Sequence, residues 1–433
     1  MKIIKYKTNV KFPCSPKTEC KNFTKFMYYI IYEEKFGHEV VQNYLEKNIR
    51  EINLRNDLKW TALMIASRNS TIKNNIKTIK LLLEYGANTN LQNNEGWTAL
   101  MMASRNSNSD SNVETVKLLL EHGANVNIQD NEGWTALMMA SRYSNSDSNL
   151  ETVKLLLEHG ANVNIQDNEG WTALMMASRN SNSDSNVETV KLLLEHGANV
   201  NIQDNEEWTA LMQASRYSGS DSNVETVKLL LEHSANVNIQ DNEGWTALMM
   251  ASRNSGSDSN VETVKLLLEH DANTNLQNNK GWTALMMASR YSGSDSNLET
   301  VKLLLEYDAD VNIQDNEGWT ALMLASKYSN MGTVKLLLEY DANVNIRNIK
   351  NDTTLLITAK NIFANKNIDN IDDIKKILLL LEFRADYHIN DMIIFFYIPK
   401  KYITSCLEII EKLTIRNYNW KMIHEQIISL KNF

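Results

Sequence analysis

Eight tryptophans (Trp60, Trp97, Trp134, Trp171, Trp208, Trp245, Trp282 and Trp319) recur along this 433-residue chain at a constant step of 37. Between them runs one nearly unchanged string, WTALMMASRYSNSDSNLETVKLLLEHGANVNIQDNEG in the copy headed by Trp134. A fixed period of this length specifies stacked supersecondary units and not a single globular core, because each unit buries its apolar face only against its neighbours. Such a chain offers a long surface and no enclosed pocket. Binding is therefore expected ahead of catalysis.

Each unit opens on a turn, Gln129 to Gly133, whose Asn, Asp and Gly residues tolerate positive φ and bond their own backbone. Thr135 stands before a short apolar-periodic stretch as an N-cap, and Leu137 and Ala140 are expected to share its buried face. A polar bridge, Ser144 to Asn149, follows. Within it Ser148 and Glu151 have the spacing of a capping box that starts a second helix. Leu150, Val153, Leu156 and Leu157 form the apolar stripe of that helix, Lys154 and Glu158 face water as an i,i+4 pair, and Gly160 ends it in the left-handed conformation.

Helix, turn, helix, the GANVNIQDNEG turn and the TALM start resemble the ankyrin repeat, whose pattern reads T-P-L-H near its start and V-x-L-L-L-x-x-G-A near its end. The resemblance covers roughly residues 59–386 and recurs nine times; the ninth copy is degenerate, with Thr353-Thr354-Leu355 and Leu379-Leu380-Leu381-Glu382 as its counterparts. It implies an all-α solenoid: an ankyrin-repeat stack of helix-turn-helix units with short β-turn or hairpin fingers. The units are expected at 58–94, 95–131, 132–168, 169–205, 206–242, 243–279, 280–316, 317–349 and, degenerate, 350–386. A tail at 1–21, a divergent capping repeat at 22–57 and a helical C-terminal cap at 387–433 complete the expected organisation.

Three departures from the pattern carry expectations. Ala136 and Met138 replace the Pro and His of T-P-L-H, so the hydrogen-bonded start of the family is expected to give way to apolar packing. The turn between helices carries four extra residues, which the eighth unit (Lys327 to Thr333) lacks, marking the insert as a surface loop. Helix-ending Gly86, Gly123, Gly160 and Gly197 give way to Ser234, Asp271, Asp308 and Asp341, and the turn glycine Gly133 has Glu207 as counterpart. The fifth repeat and those after it are expected to be less stable, since the left-handed region is costly without glycine.

The net charge of -9, from 44 basic and 53 acidic residues, argues against a nucleic-acid partner, which needs a basic face. Three cysteines (Cys14, Cys20, Cys406) cannot build a disulfide framework and fit an intracellular, cytoplasmic setting. No signal-peptide core or membrane span is read. The abundance of Asn, Lys and Ile is ascribed to genome composition; with the repeat homogeneity it is similar to ankyrin proteins of giant DNA viruses, which implies the host cytoplasm. No phosphate loop, dinucleotide fingerprint, zincin or nucleophile-elbow string is present, so no catalytic residue, cofactor or metal is assigned and no enzyme is expected. His122, His159, His196, His233 and His270 share one repeat position, but copies about 8–10 Å apart do not make a zinc shell, which needs contacts of about 2.0–2.1 Å. They are read as solvated residues near a helix C-terminus.

In ankyrin-like stacks the fingers and first helices line a concave face. The resemblance places there Trp97, Trp134, Trp171, Trp208, Trp245 and Trp282, Arg105, Arg142, Arg179, Arg216, Arg253 and Arg290, and Tyr143, Tyr217 and Tyr291. These residue types dominate binding hot spots. For the tryptophans two readings stand open: a partner surface, or packing on the next turn with Arg stacked on the ring. The residue after Arg alternates between Asn and Tyr, which indicates duplication of a two-unit block and little individual tailoring. The expected function is a monomeric, non-catalytic scaffold holding a protein partner. The alternatives are a ubiquitin-ligase adaptor acting through residues 387–433, and a spacer.

Overall fold

The computed structural model describes residues 24–68, 75–105, 110–142, 147–179, 184–216, 221–253, 258–290, 295–364 and 371–383. The tail, the three cysteines, Tyr143, Tyr217, Tyr291, the side chain of Ser148, and residues 387–433 with the adaptor reading placed on them all lie outside that set. Among the described residues the regular elements are helices, apart from one antiparallel bridge between Arg347 and Thr353.

Three helices precede the first tryptophan: α1 (Lys25–Ile31), α2 (Glu33–Phe36) and α3 (His38–Lys47). Hairpins of a short first helix and a longer second helix follow. They are α4 (Ala62–Arg68) with α5 (Asn75–Glu84), α6 (Ala99–Arg105) with α7 (Asp110–Glu121), α8 (Ala136–Arg142) with α9 (Asp147–Glu158), and α10 (Ala173–Arg179) with α11 (Asp184–Glu195). Next come α12 (Ala210–Arg216) with α13 (Asp221–Glu232), α14 (Ala247–Arg253) with α15 (Asp258–Glu269), and α16 (Ala284–Arg290) with α17 (Asp295–Glu306). The last are α18 (Ala321–Tyr328) with α19 (Met331–Glu339), and α20 (Thr354–Ala364) with α21 (Ile371–Glu382).

The first helices start where the hydroxyl of the preceding threonine accepts a backbone N–H; Met138 N lies 3.2 Å from Thr135 Oγ1. The expected two-residue buried face is too narrow. All of Ala136 to Ser141 are buried, because α8 packs against α6, α10 and its own partner α9. A helix enclosed on every side must be apolar all round. Burial of each large side chain in it contributes roughly 1.5–3 kcal/mol. Met138, 1% exposed, stands where the family has histidine, and the hydrogen-bonded start is weakened rather than lost. Its sulfur accepts the Thr135 N–H at 3.4 Å, as Met64 and Met101 do for Thr61 and Thr98.

The second helix begins at Asp147, so Ser148 falls inside the first turn instead of preceding it. Val153, Leu156 and Leu157 are buried while Leu150 is half-buried. The surface pairs form in both spacings: Lys154 lies 3.8 Å from Glu151, and Lys302 lies 3.6 Å from Glu299 and 3.8 Å from Glu306. Such exposed pairs contribute only a few tenths of a kcal/mol.

The described chain packs as two compact units, one running to Ala214 and taking in Lys228–Ala235, the other comprising Ser215–Val227 and the residues from Asn236 on. In the first, first helices lie beside first helices (α4, α6, α8, α10) and second beside second (α5, α7, α9, α11). Helices α1 and α3 continue those two rows against α4 and α5. Their join is aromatic: Phe26 stacks on Tyr44 at 5.6 Å, and Tyr29 meets Phe36 and Tyr44 edge-on at 5.4 and 5.5 Å. In the second unit the same two rows run through α14, α16, α18, α20 and α15, α17, α19, α21.

Where glycine is missing from the helix ends and turns, the backbone is still left-handed: φ is 65° at Ser234, 63° at Asp271 and 62° at Glu207. Glu207→Gly is thus expected to stabilise residues 204–216 by about 1 kcal/mol. Native-state hydrogen exchange reads this directly, and unchanged protection would count against the strain.

Candidate functional site

Each finger is built on one aspartate or asparagine. Asp130 Oδ1 accepts the backbone N–H groups of Glu132 at 3.0 Å and Trp134 at 2.8 Å. The Asp130 N–H in turn donates to the Trp134 carbonyl at 2.9 Å. This Asx turn pins the tryptophan backbone. Asp167, Asp204, Asp241 and Asp315 repeat the contact on Trp171, Trp208, Trp245 and Trp319, and Asn93 and Asn278 do so on Trp97 and Trp282. Burial raises the pKa of Asp130, Asp167, Asp204 and Asp315 above the ordinary 3.8, against the opposing pull of the two N–H donors. Acidic neighbours raise it further, among them Glu132 and Asp167 around Asp130. At Asp315 the side chain of Trp282, from the preceding finger, hydrogen-bonds the carboxylate and lowers its pKa.

The tryptophan ring meets the residue that ends the first helix. The guanidinium carbons of Arg105, Arg142 and Arg179 sit 5.1, 5.0 and 5.5 Å over Trp97, Trp134 and Trp171. Arg253 and Arg290 sit 5.5 and 5.3 Å over Trp245 and Trp282, and Lys327 5.2 Å over Trp319. Each pair gains about 0.5–1 kcal/mol at an exposed site. The cation also closes a helix C-terminus, where positive charge is favoured. These six rings are half-buried, whereas Trp60, paired with Arg68 at 5.6 Å, is buried. Arg142, Arg179, Arg216 and Arg253 are exposed, and Arg105 and Arg290 half-buried. The structure thus forms the packing that the second reading describes: the ring is part of the turn, and the cation stacks on one of its faces.

Sequence reasoning missed Tyr328, the described residue at the register of Tyr143, Tyr217 and Tyr291. It is 48% exposed and lies between two cations, 4.8 Å from Arg290 and 4.7 Å from Lys327. Also missed were rows of amide side chains that tie each finger to the next. Asn125 N–H donates to Asn90 Oδ1 at 2.8 Å, and Asn162 N–H to Asn127 Oδ1 at the same distance. Gln129 Nε2 bridges the Gly133 and Gln166 carbonyls at 2.8 and 3.1 Å, and Asn131 Nδ2 reaches the Asn94 carbonyl at 2.8 Å. The asparagines thus have a structural task that genome composition does not supply. The signal was the spacing of two in Asn125, Asn127 and Gln129, recurring at one register.

His122, His159, His196, His233 and His270 each bring Nδ1 to 2.8 Å from the carbonyl four residues earlier. A carbonyl only accepts, so Nδ1 carries the proton; at His122, His159, His196 and His233 the ring is a second donor to a carbonyl that also takes the residue's own backbone N–H at 3.1–3.2 Å. Among the described residues no helix is long and apolar enough to cross a membrane.

Buried helical hairpins in two rows, joined by Asx-turn fingers, define a helical-repeat solenoid. A family profile described as ankyrin repeats (3 copies) matches residues 27–130, 72–167, 108–204, 146–241, 182–277, 220–315, 257–348 and 294–391. The chain belongs to the ankyrin-repeat family, whose members are generally protein-interaction modules without catalysis of their own. Three ankyrin repeat proteins of Acanthamoeba polyphaga mimivirus are similar to it, at 48%, 44% and 42% identity over 84, 87 and 90 residues. Each alignment takes in 19% of this chain and only 15%, 16% and 14% of the relative, so the likeness is one of repeats.

Proposed function

We propose that this protein binds a partner protein along the row of tryptophan–cation pairs, on the face that the fingers and first helices of an ankyrin stack make concave. The observation that carries the reading is the regularity of the row. One aromatic ring and one cation per repeat, fixed by an Asx turn and a helix end, recur through both units. Residues held this firmly lose little freedom on association, which favours affinity. Tryptophan, arginine and tyrosine are also the side chains that most often dominate binding energy. The pairs are nearly identical from repeat to repeat, which suits an extended or repetitive partner.

Charge reversal of Arg105, Arg142 and Arg179 together to glutamate tests this. Affinity purification from the host cell is expected to lose the partner of the wild-type chain by more than about tenfold, the loss of one or two hot-spot contacts. Circular dichroism should stay unchanged, since the cation–ring pairs contribute little to the fold. Equal recovery with the variant would remove the row as the binding surface.

A further inference from the structure

The repeats between the ends are so alike that their docking faces are nearly interchangeable, and apolar stripes alone do not choose which hairpin stacks on which. One junction differs. The eighth repeat lacks the four-residue insert, and its first helix α18 runs to Tyr328 and passes through Ser329 and Asn330 straight into α19. In the ninth repeat, Lys376 occupies the register that holds Thr115, Thr152, Thr189, Thr226, Thr263, Thr300 and Thr333 elsewhere, all fully buried. Lys376 is itself only 3% exposed. Its ammonium donates to the Ser329 carbonyl at 2.6 Å and the Ser326 carbonyl at 3.3 Å. Beside it, Asn361 Nδ2 of α20 donates to the Lys327 carbonyl at 3.3 Å. Three open carbonyls at the end of α18 are thus closed by the hairpin that follows.

We propose that Lys376 is a register key, which lets the last hairpin dock on the insert-free eighth repeat and on none of the insert-bearing ones. A buried ammonium is tolerated only where acceptors meet it; without them its desolvation is uncompensated. Threonine, with a side chain too short to reach those carbonyls, serves where the insert is present. The lysine and the missing insert are therefore matched, and together they set where the array ends. Buried polar groups in helical assemblies act this way when they specify register at some loss of stability.

The test is a double-mutant cycle on the full chain, made of wild type, Lys376→Thr, insertion of Gly-Ser-Asp-Ser after Ser329, and the two changes combined. Native-state hydrogen exchange is read at the amides of α20 and α21. Each single change is expected to speed exchange there about 10- to 100-fold, the effect of losing charge-assisted hydrogen bonds. The combined variant, carrying the interior pairing of threonine with insert, is expected to exchange more slowly than either single one. Fold-changes that simply multiply in the combined variant would overturn the proposal, as would Lys376→Thr acting equally with and without the insert.

Discussion

Valine in place of Gly133 is expected to weaken the segment from Asp130 to Arg142 by about 3 kcal/mol, whereas alanine in place of Gly160 weakens its helix end by about 1 kcal/mol. Both glycines are left-handed, with φ of 84° and 79°. The difference is what a Cβ would meet. At Gly160 nothing lies within 4 Å, so only the backbone conformation is strained. At Gly133 the added carbon would fall 2.8 Å from Asn168 N and from Asp167 Cα, in the backbone of the following finger. That backbone is itself held to its neighbour by the Asn168 N–H to Glu132 carbonyl bond at 3.0 Å. An unbranched side chain can be admitted: Lys59, at the same register with φ of 60°, leaves the matching Asn94 N–H to Leu58 carbonyl bond at 3.0 Å. A β-branched residue has no such escape, because its second γ-atom crowds the left-handed backbone as well. Gly133→Lys should therefore fall between the two, costing more than Gly160→Ala by what the neighbouring finger must yield and less than Gly133→Val. Hydrogen exchange over 130–142 and 167–179 for the Gly133 variants and over 147–160 for Gly160→Ala ranks the three, and an equal loss in all of them would show that the close approach of fingers carries no weight.

Most of the fold was legible because it is written in local and repeating signals. The threonine before TALM, the leucine stripe of the second helix and the glycine after it act within a few residues, and the structure forms each of them. The contacts that were not legible join different repeats. Asn125 bonds Asn90, 35 residues away, and Gln129 bonds Gln166 at the full period. The partner is set by how hairpins stack, which no local rule describes. Burial of Met139 fails to read for a similar reason: an amphipathic count assumes one dry face, and α8 is dry on all sides. Within the candidate site, the residue types and their register were visible. Their coupling was visible only as a possibility, since Trp134 and Arg142 lie eight residues apart on different elements. What escaped was Tyr328, whose place between two cations brings together side chains from two repeats, Arg290 and Lys327.

Asp130→Ala should be among the most damaging single changes in a finger, and Asp130→Asn nearly harmless. Alanine leaves the N–H groups of Glu132 and Trp134 without their acceptor in a part-buried turn, at a loss of about 1–3 kcal/mol for each. It also frees the tryptophan that carries Arg142. Asparagine keeps the accepting oxygen, as Asn93 shows with bonds of 3.0 and 2.8 Å to Glu95 and Trp97. The two differ in charge, and pH separates them. Because burial raises the folded-state pKa of Asp130, the folded turn prefers the protonated acid. The contribution of that preference is complete below the unfolded value near 3.8 and is lost as pH rises through the higher folded value. Asparagine, which has no charge to lose, is free of this decline. Replacing Asp130, Asp167, Asp204 and Asp315 together by asparagine should therefore leave the urea midpoint close to wild type near pH 3.5 and raise it relative to wild type at pH 7. The repulsion between Asp130 and Asp167 in successive fingers works in the same direction. A wild-type advantage that grows with pH would mean that the N–H donors, and not burial, govern these carboxylates.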